Sequence, residues 1–212
     1  MYSHYKSVIV STMVVFIVMV LASIEPLAWS SYLLHQLGTL LFLALMLSAF
    51  HYRYISSRSY AFASLFLVIH IIGARYLYSY VPYDDWIQQL FDVRLGELFG
   101  WQRNMYDRLV HFSYGLLLFS AMVESSKSIF AIQSTKLLIA IALMINMSSS
   151  LLYELIEWSI ALTLSPEAAE AYNGQQGDVW DAHKDMTMAL LGGLIAAGMV
   201  LFQTRKNRKL SK

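Results

Sequence analysis

Six long apolar stretches, separated by short polar segments, set the fold class of this 212-residue chain. They run over residues 8–24, 33–50, 61–80, 109–123, 137–164 and 186–202. A helix needs roughly 20 mostly apolar residues to cross a hydrocarbon core about 30 Å thick. Inside that core every backbone N–H and C=O must be satisfied within the segment, which selects helices over open strands. The reading is an all-α, polytopic membrane protein: one domain of six transmembrane helices, with a short interfacial helix in the loop between helices three and four. Asp84-Asp85-Trp86 and Trp101 in that loop suit an amphipathic segment with aromatic anchoring. Pro82 and Pro166 are expected to mark the ends of the preceding helices. The first stretch exceeds the roughly 7–15 apolar residues of a secretory signal and follows a single Lys6, so it reads as a span.

Composition agrees. The chain is 58% hydrophobic and 14% charged, against about 45–50% and about 25% in soluble domains. That excludes a disordered chain and argues against a soluble enzyme. The absence of Cys excludes a disulfide scaffold, a thiolate zinc site, an iron–sulfur cluster and thiol catalysis. A net charge of +1 gives no reason to expect nucleic acid; the expected partners are membrane lipids.

The charges are unevenly distributed. With the N-terminus inside, Lys6, Arg53, Arg58, Lys127, Lys136, Arg205, Lys206, Arg208, Lys209 and Lys212 share one side, ten of the 15 basic residues. Only Glu124, of 14 acidic residues, joins them. Excess Lys and Arg in short loops marks the cytoplasmic side. Six spans with both termini cytoplasmic satisfy the rule at every loop, whereas five would put the basic tail opposite Lys6.

The acidic residues gather at the other end. Asp107 and His111 are one turn apart and share a face, as do Glu154 and Glu157. Asp178, Asp181 and Asp185 step by three and four into the last helix. His70 and Arg75 lie in the outer half of the third. Ionisable groups in a span cost about 2.5–3.5 kcal/mol each on insertion scales and usually face the bundle interior. Carboxylates and His on facing helices are the raw material of a metal site in a bundle. Oxygen-rich ligation suits Mg, Ca or Mn, and His admits Zn or Fe. The expected ligands of a divalent cation are His111, Glu154, Glu157 and Asp181, with Asp107 and Asp185 as supporting or additional ligands. Arg75, Arg103 and Arg108 are the expected charge partners. Asp107, His111, Glu154 and Glu157 are the catalytic candidates, through a metal-activated water.

Plainer roles compete. Asp178 or Asp181 could cap the last helix, Asp107 could pair with Arg103 or Arg108, and His111 could be structural. His4, His35 and His51 lie near helix ends and read as interfacial, and His183 as solvent-facing. Trp29, Trp86, Trp101 and Trp180 suit an aromatic belt. Gly192, Gly193 and Gly198 suit close helix packing.

Several blocks together resemble a known family. They are Ile72-Gly73-Ala74-Arg75-Tyr76, Val81-Pro82, Arg103-Asn104-x-Tyr106-Asp107-Arg108-Leu109-x-His111-Phe112, Tyr153-Glu154-x-x-Glu157-Trp158, and Gln176-Gly177-Asp178-x-Trp180-Asp181-x-x-x-Asp185-Met186. From about His70 to Gly198 the chain resembles the bacterial DUF2238 family, the YjdF-like inner-membrane proteins. The resemblance implies a multi-pass protein of the bacterial inner membrane and supplies no reaction. The family leads one to expect an acidic residue soon after the first Trp, where this chain has Ser30-Ser31-Tyr32-Leu33-Leu34-His35-Gln36. A looser similarity to VanZ-like proteins lies in the Asp-x-x-x-His opening of one helix. Three classes remain: a metal- or carboxylate-dependent enzyme acting on a lipid-linked or periplasmic substrate, a small-solute or ion transporter, and an accessory protein whose polar cluster locks helices together.

Overall fold

In the computed structural model residues 2–210 are described; Lys212, counted in the basic tail, lies outside them. The described residues form nine helices: α1 (Tyr2–Ala22), α2 (Trp29–His51), α3 (Ser57–Arg75), α4 (Tyr83–Phe91), α5 (Leu95–Phe99), α6 (Tyr106–Phe130), α7 (Thr135–Ala161), α8 (Pro166–Asn173) and α9 (Asp181–Leu210). No strand occurs among them. Five helices are long and apolar enough to cross a membrane: α1, α2, α3, α7 and α9. Helix α6, with 25 residues and a length of about 37 Å, is long enough but more polar. The reason is its position. It packs against α3, α7 and α9, so its Asp107, Arg108, His111 and Ser113 are buried among neighbours.

Paired contacts give the direction of each helix. Thr12 meets Tyr60, and Arg75 meets the end of α1, so α1 and α3 run parallel. Phe42 packs on Phe66, and His35 on His70, so α2 runs against α3. Ser59 meets Ser120 and Tyr106 meets Ile69, setting α6 against α3, while Tyr114 meets Ser149 and His111 faces Glu154, setting α7 against α6. Arg108 reaches Asp181 at the start of α9, so α6 and α9 run parallel. The six long helices therefore alternate in direction, and every acidic candidate falls at one end.

Local chemistry explains the boundaries. The Ser56 hydroxyl accepts the Ser59 N–H, and Ser134 accepts that of Leu137, satisfying N–H groups left free in a first turn. Helix three stops at Arg75, not at residue 80. Leu77 and Tyr78 take left-handed φ angles of +51° and +54°, costing about 1–2 kcal/mol each. In return the turn buries the Tyr78 ring beside Gly73 and brings its hydroxyl 2.9 Å from His70 Nδ1. The prolines also differ from expectation. Pro82 directly precedes α4, and Pro166 opens α8, where a missing N–H costs nothing. The loop after α3 carries two short helices, α4 and α5, with the Asp84 carboxylate accepting the Leu95 N–H at 2.9 Å.

Small residues control how closely α6 and α9 approach. A Cβ at Gly115 would strike the Ala189 carbonyl, and one at Gly192 the Phe112 carbonyl. Gly193 faces the Asn146 amide, whose Nδ2 donates to Ala189 O at 3.1 Å. Gly198, expected in the same role, has open space beside it.

A polar cluster at one end of the bundle

The first turns of α6 and α9 run side by side, so their polar residues meet. Arg108, 4% exposed, bridges three aspartates. Its Nη2 lies 2.6 Å from Asp181 Oδ1 and 3.3 Å from Asp178 Oδ2, and its Nη1 pairs with Asp185 Oδ2. Arg103 joins from the preceding loop, 2.6 Å from Asp181 Oδ1 and 3.4 Å from Asp178 Oδ2. It also donates to the Gly174 and Gln175 carbonyls, tying the loop after α8 to the start of α6. A hydrogen bond from Lys184 holds the Asp178 carboxyl below its ordinary range, and the Trp180 N–H and Arg108 add to the effect. Asp178 thus both pairs with cations and receives the Trp180 N–H at 3.1 Å.

A second group lies one turn deeper, around His111. Its Nε2 is 3.7 Å from Asp107 Oδ1, 3.8 Å from Glu154 Oε1 and 3.9 Å from Asp185 Oδ1. One ligand atom each from Asp107, His111 and Asp185 lies within 4.8 Å of the others. Neighbouring ligands of a tetrahedral cation with bonds of about 2.0–2.2 Å stand roughly 3.3–3.6 Å apart, so a small inward movement closes the set. Asp185 Oδ1 and Glu154 Oε1 are buried without a hydrogen-bond partner. Buried carboxylate oxygens are normally satisfied, so these two stand out within the cluster.

The geometry reassigns several expected roles. Asp181 is taken up by two guanidiniums, whereas Asp107 and Asp185 stand beside His111. Glu157 lies near Tyr153, Tyr78 and Tyr172. Among the described residues Arg75 forms no ion pair with a carboxylate. Its Nη1 donates to the carbonyls of Leu21, at 3.0 Å, Ala22, at 3.2 Å, and Ile24, closing the end of α1. A helix leaves its last carbonyls free, and the parallel packing of α1 on α3 puts Arg75 beside them. His183 is exposed against the Trp180 ring, while His4 bonds Ser57.

His35 is the clearest omission of the sequence reading. It is 4% exposed, not interfacial. Its ring stacks on Tyr172 at 4.7 Å and meets His70 at 5.9 Å and Tyr78 at 5.1 Å. Its Nε2 and both amide atoms of Gln36 are buried without partners. Burial pushes the Tyr172 hydroxyl up to about 12, and the nearby Glu157 adds to the shift. The signal was present in α2: Tyr32, His35, Gln36 and Thr39 recur at three- and four-residue spacing, a polar stripe along an apolar helix.

A cavity of about 440 Å³ lies beside the cluster. Asp107, His111, His70, His35, Tyr78 and Tyr172 line its polar end. Phe42, Phe66, Leu67, Tyr114 and Ser149 line it further along the helices. A separate apolar core of Phe119, Ile139, Ala142, Ala196 and Ala197 packs where α6, α7 and α9 meet.

Apolar helices around a buried ionic cluster define an integral membrane protein of the all-helical class. The family described as "Predicted membrane protein (DUF2238)" matches residues 7–206, and this chain belongs to it. The match includes α1 from residue 7 onward and most of the motif-poor N-terminal third. The inner membrane protein YjdF of Escherichia coli (strain K12) is 34% identical over 135 residues, 64% of this chain. The matched region covers 60% of that relative's own length. No solved structure matches.

Proposed function

We propose that this is a six-span inner-membrane enzyme whose outer-end cluster holds a divalent cation and acts on a lipid-linked or periplasmic substrate. The observation that carries the reading is the group around His111 Nε2. Three carboxylate oxygens surround it at 3.7–3.9 Å, and two of them have no partner. With Arg75 engaged elsewhere, the arginines that pair with this group of Asp107, Glu154, Glu157, Asp181 and Asp185 among the described residues are Arg103 and Arg108, and they reach Asp181 and Asp185. A divalent cation offsets the excess and activates a water as nucleophile. Asp107, His111, Glu154 and Asp185 are the ligands in this reading, and Glu157 is the carboxylate left to receive a proton.

Metal analysis of detergent-purified protein tests it. One equivalent of a divalent ion is expected, and chelation should lower the melting temperature. A ligand present at 100 times its Kd stabilises by about 2.7 kcal/mol. Glu154→Gln should bind at least tenfold more weakly, about 1.4 kcal/mol. Absence of metal, with Glu154→Gln at least as stable as the parent, would favour a structural lock instead. The doubly paired Asp181 is the observation on that side. A transporter needs a path to the other end, and the cavity lining reaches only as far as Phe42, Phe66 and Tyr114, near the middle of α2, α3 and α6.

The alternating helices support six spans, and the basic residues support a cytoplasmic location for both termini. Single cysteines introduced into this Cys-free chain test the arrangement. A Cys at Asp85 or Asn173 is expected to react with an impermeant reagent from the periplasm, and one at Arg58 or Lys127 only after permeabilisation. Periplasmic labelling at Arg58 would refute the orientation.

A further inference from the structure

The cavity has a side wall that faces outward. On α2, Leu34, Leu37 and Leu41 line it and are 42%, 57% and 65% exposed. Across from them on α7, Ile156 lines it and is 48% exposed. These residues belong to the apolar outer surfaces of two membrane-crossing helices, where the surroundings are hydrocarbon. The inner wall is different: Leu67 and Val110 are 2% and 6% exposed. At the aqueous end Tyr172 lines the cavity, stacked on His35, and Gly174 packs against Asp107 and Tyr78, a Cβ there falling 3.4 Å from Asp107 Oδ2. The lining residues 34–42 of α2 span about 12 Å of helix, enough for a stretch of extended chain. The volume falls within the usual range of roughly 300–1,000 Å³ for ligand sites.

We infer that the cleft between α2 and α7 admits a lipid sideways from the bilayer, seating one hydrocarbon chain with its polar end at Asp107 and His111. The inference rests on the enzyme reading above and names its substrate class. The occupant follows from the walls. A water-borne ligand would meet Tyr172 and Gly174 at the polar end, whereas a lipid chain meets an open apolar mouth. The polar groups lie at the outer end of the slot and the aromatic and aliphatic groups toward the bilayer centre, the polarity order of a lipid in the outer leaflet.

Gly38 provides the test. It lines the cavity, and a Cβ added there meets nothing within 4 Å. Gly38→Leu therefore fills the slot without displacing backbone, and leucine favours a helix more than glycine does. The full chain is reconstituted with phosphatidylglycerol carrying a photoreactive diazirine midway along one acyl chain, and adducts are mapped by mass spectrometry. Adducts on the inner wall, at Leu67, Val110 or Tyr114, are expected beside those on exposed leucines. In Gly38→Leu the inner adducts should fall severalfold, with exposed adducts, metal content and melting temperature maintained. Adducts confined to exposed positions, or inner adducts unaffected by Gly38→Leu, overturn the inference. Rapid reaction of Ser149→Cys with an impermeant thiol reagent from water would also overturn it, since the slot would then be an aqueous entrance. The two readings fail separately. Inner adducts in a metal-free protein defeat the metal site alone, and a metal-loaded protein without inner adducts defeats the lipid slot alone.

Discussion

Arg108→Leu is expected to destabilise the protein by about 3–5 kcal/mol, the usual cost of removing one partner from a buried ion pair. The Arg108 side chain is 5% exposed, and those of Asp181 and Asp185 are 6% and 3% exposed. Without the guanidinium, Asp185 loses its cation and Asp181 keeps only Arg103. Arg108→Lys should recover part of the loss, because one ammonium cannot reproduce a planar fork reaching three carboxylates. Arg108→Leu combined with Asp185→Leu should be less destabilised than the sum of the single variants, since the stranded charge is gone. Melting and denaturant titration of detergent-solubilised protein measure each value. The exposed Arg94–Asp85 pair, with side chains 39% and 54% exposed, is the control, expected to contribute at most about 1 kcal/mol. A loss at Arg108 no larger than at Arg94 would mean the ionic cluster does not hold α6 to α9.

Gly192→Ala is expected to cost about 1–3 kcal/mol through overpacking, and Gly192→Val more. The added Cβ would fall on the Phe112 carbonyl and 2.7 Å from Leu116 N. Both are backbone atoms of α6, so no rotamer change relieves the clash, and α6 must move away from α9. That movement would also spread the cluster, because Arg108 and Asp185 sit about one and two turns toward the helix starts. Metal content should therefore fall along with melting temperature. Gly198→Ala, six residues later on the same helix, meets nothing within 4 Å. It should match or exceed parental stability, by about 0.5–1 kcal/mol. Equal behaviour of the two variants would refute close approach as the reason for Gly192.

The apolar runs made an all-helical membrane protein legible from composition and order alone, because hydrocarbon imposes one rule on every span. The clustering of acidic groups at one end was also legible, since each reversal of direction returns the chain to the same depth. Boundaries were less legible. Helix α3 stops at Arg75 because Leu77 and Tyr78 accept unfavourable backbone angles to bury a tyrosine, a local cost repaid by a distant histidine. Helix α6 looked the weakest of the six in apolar length, and it is the one that packs at the centre.

Residue types and helical spacing determined which groups could share a helix face: Asp107 with His111, Glu154 with Glu157, Asp181 with Asp185. Tertiary packing decided which faces meet and what each group pairs with. It turned Arg75 toward the end of α1, gave Asp181 to two arginines, left Asp185 and Glu154 facing His111, and brought His35 to Tyr172. Spacing along a helix is a local property of 3.6 residues per turn. The rotation of one helix against another depends on side-chain volumes across both, down to the missing Cβ atoms of Gly115 and Gly192, and only the folded chain evaluates those together.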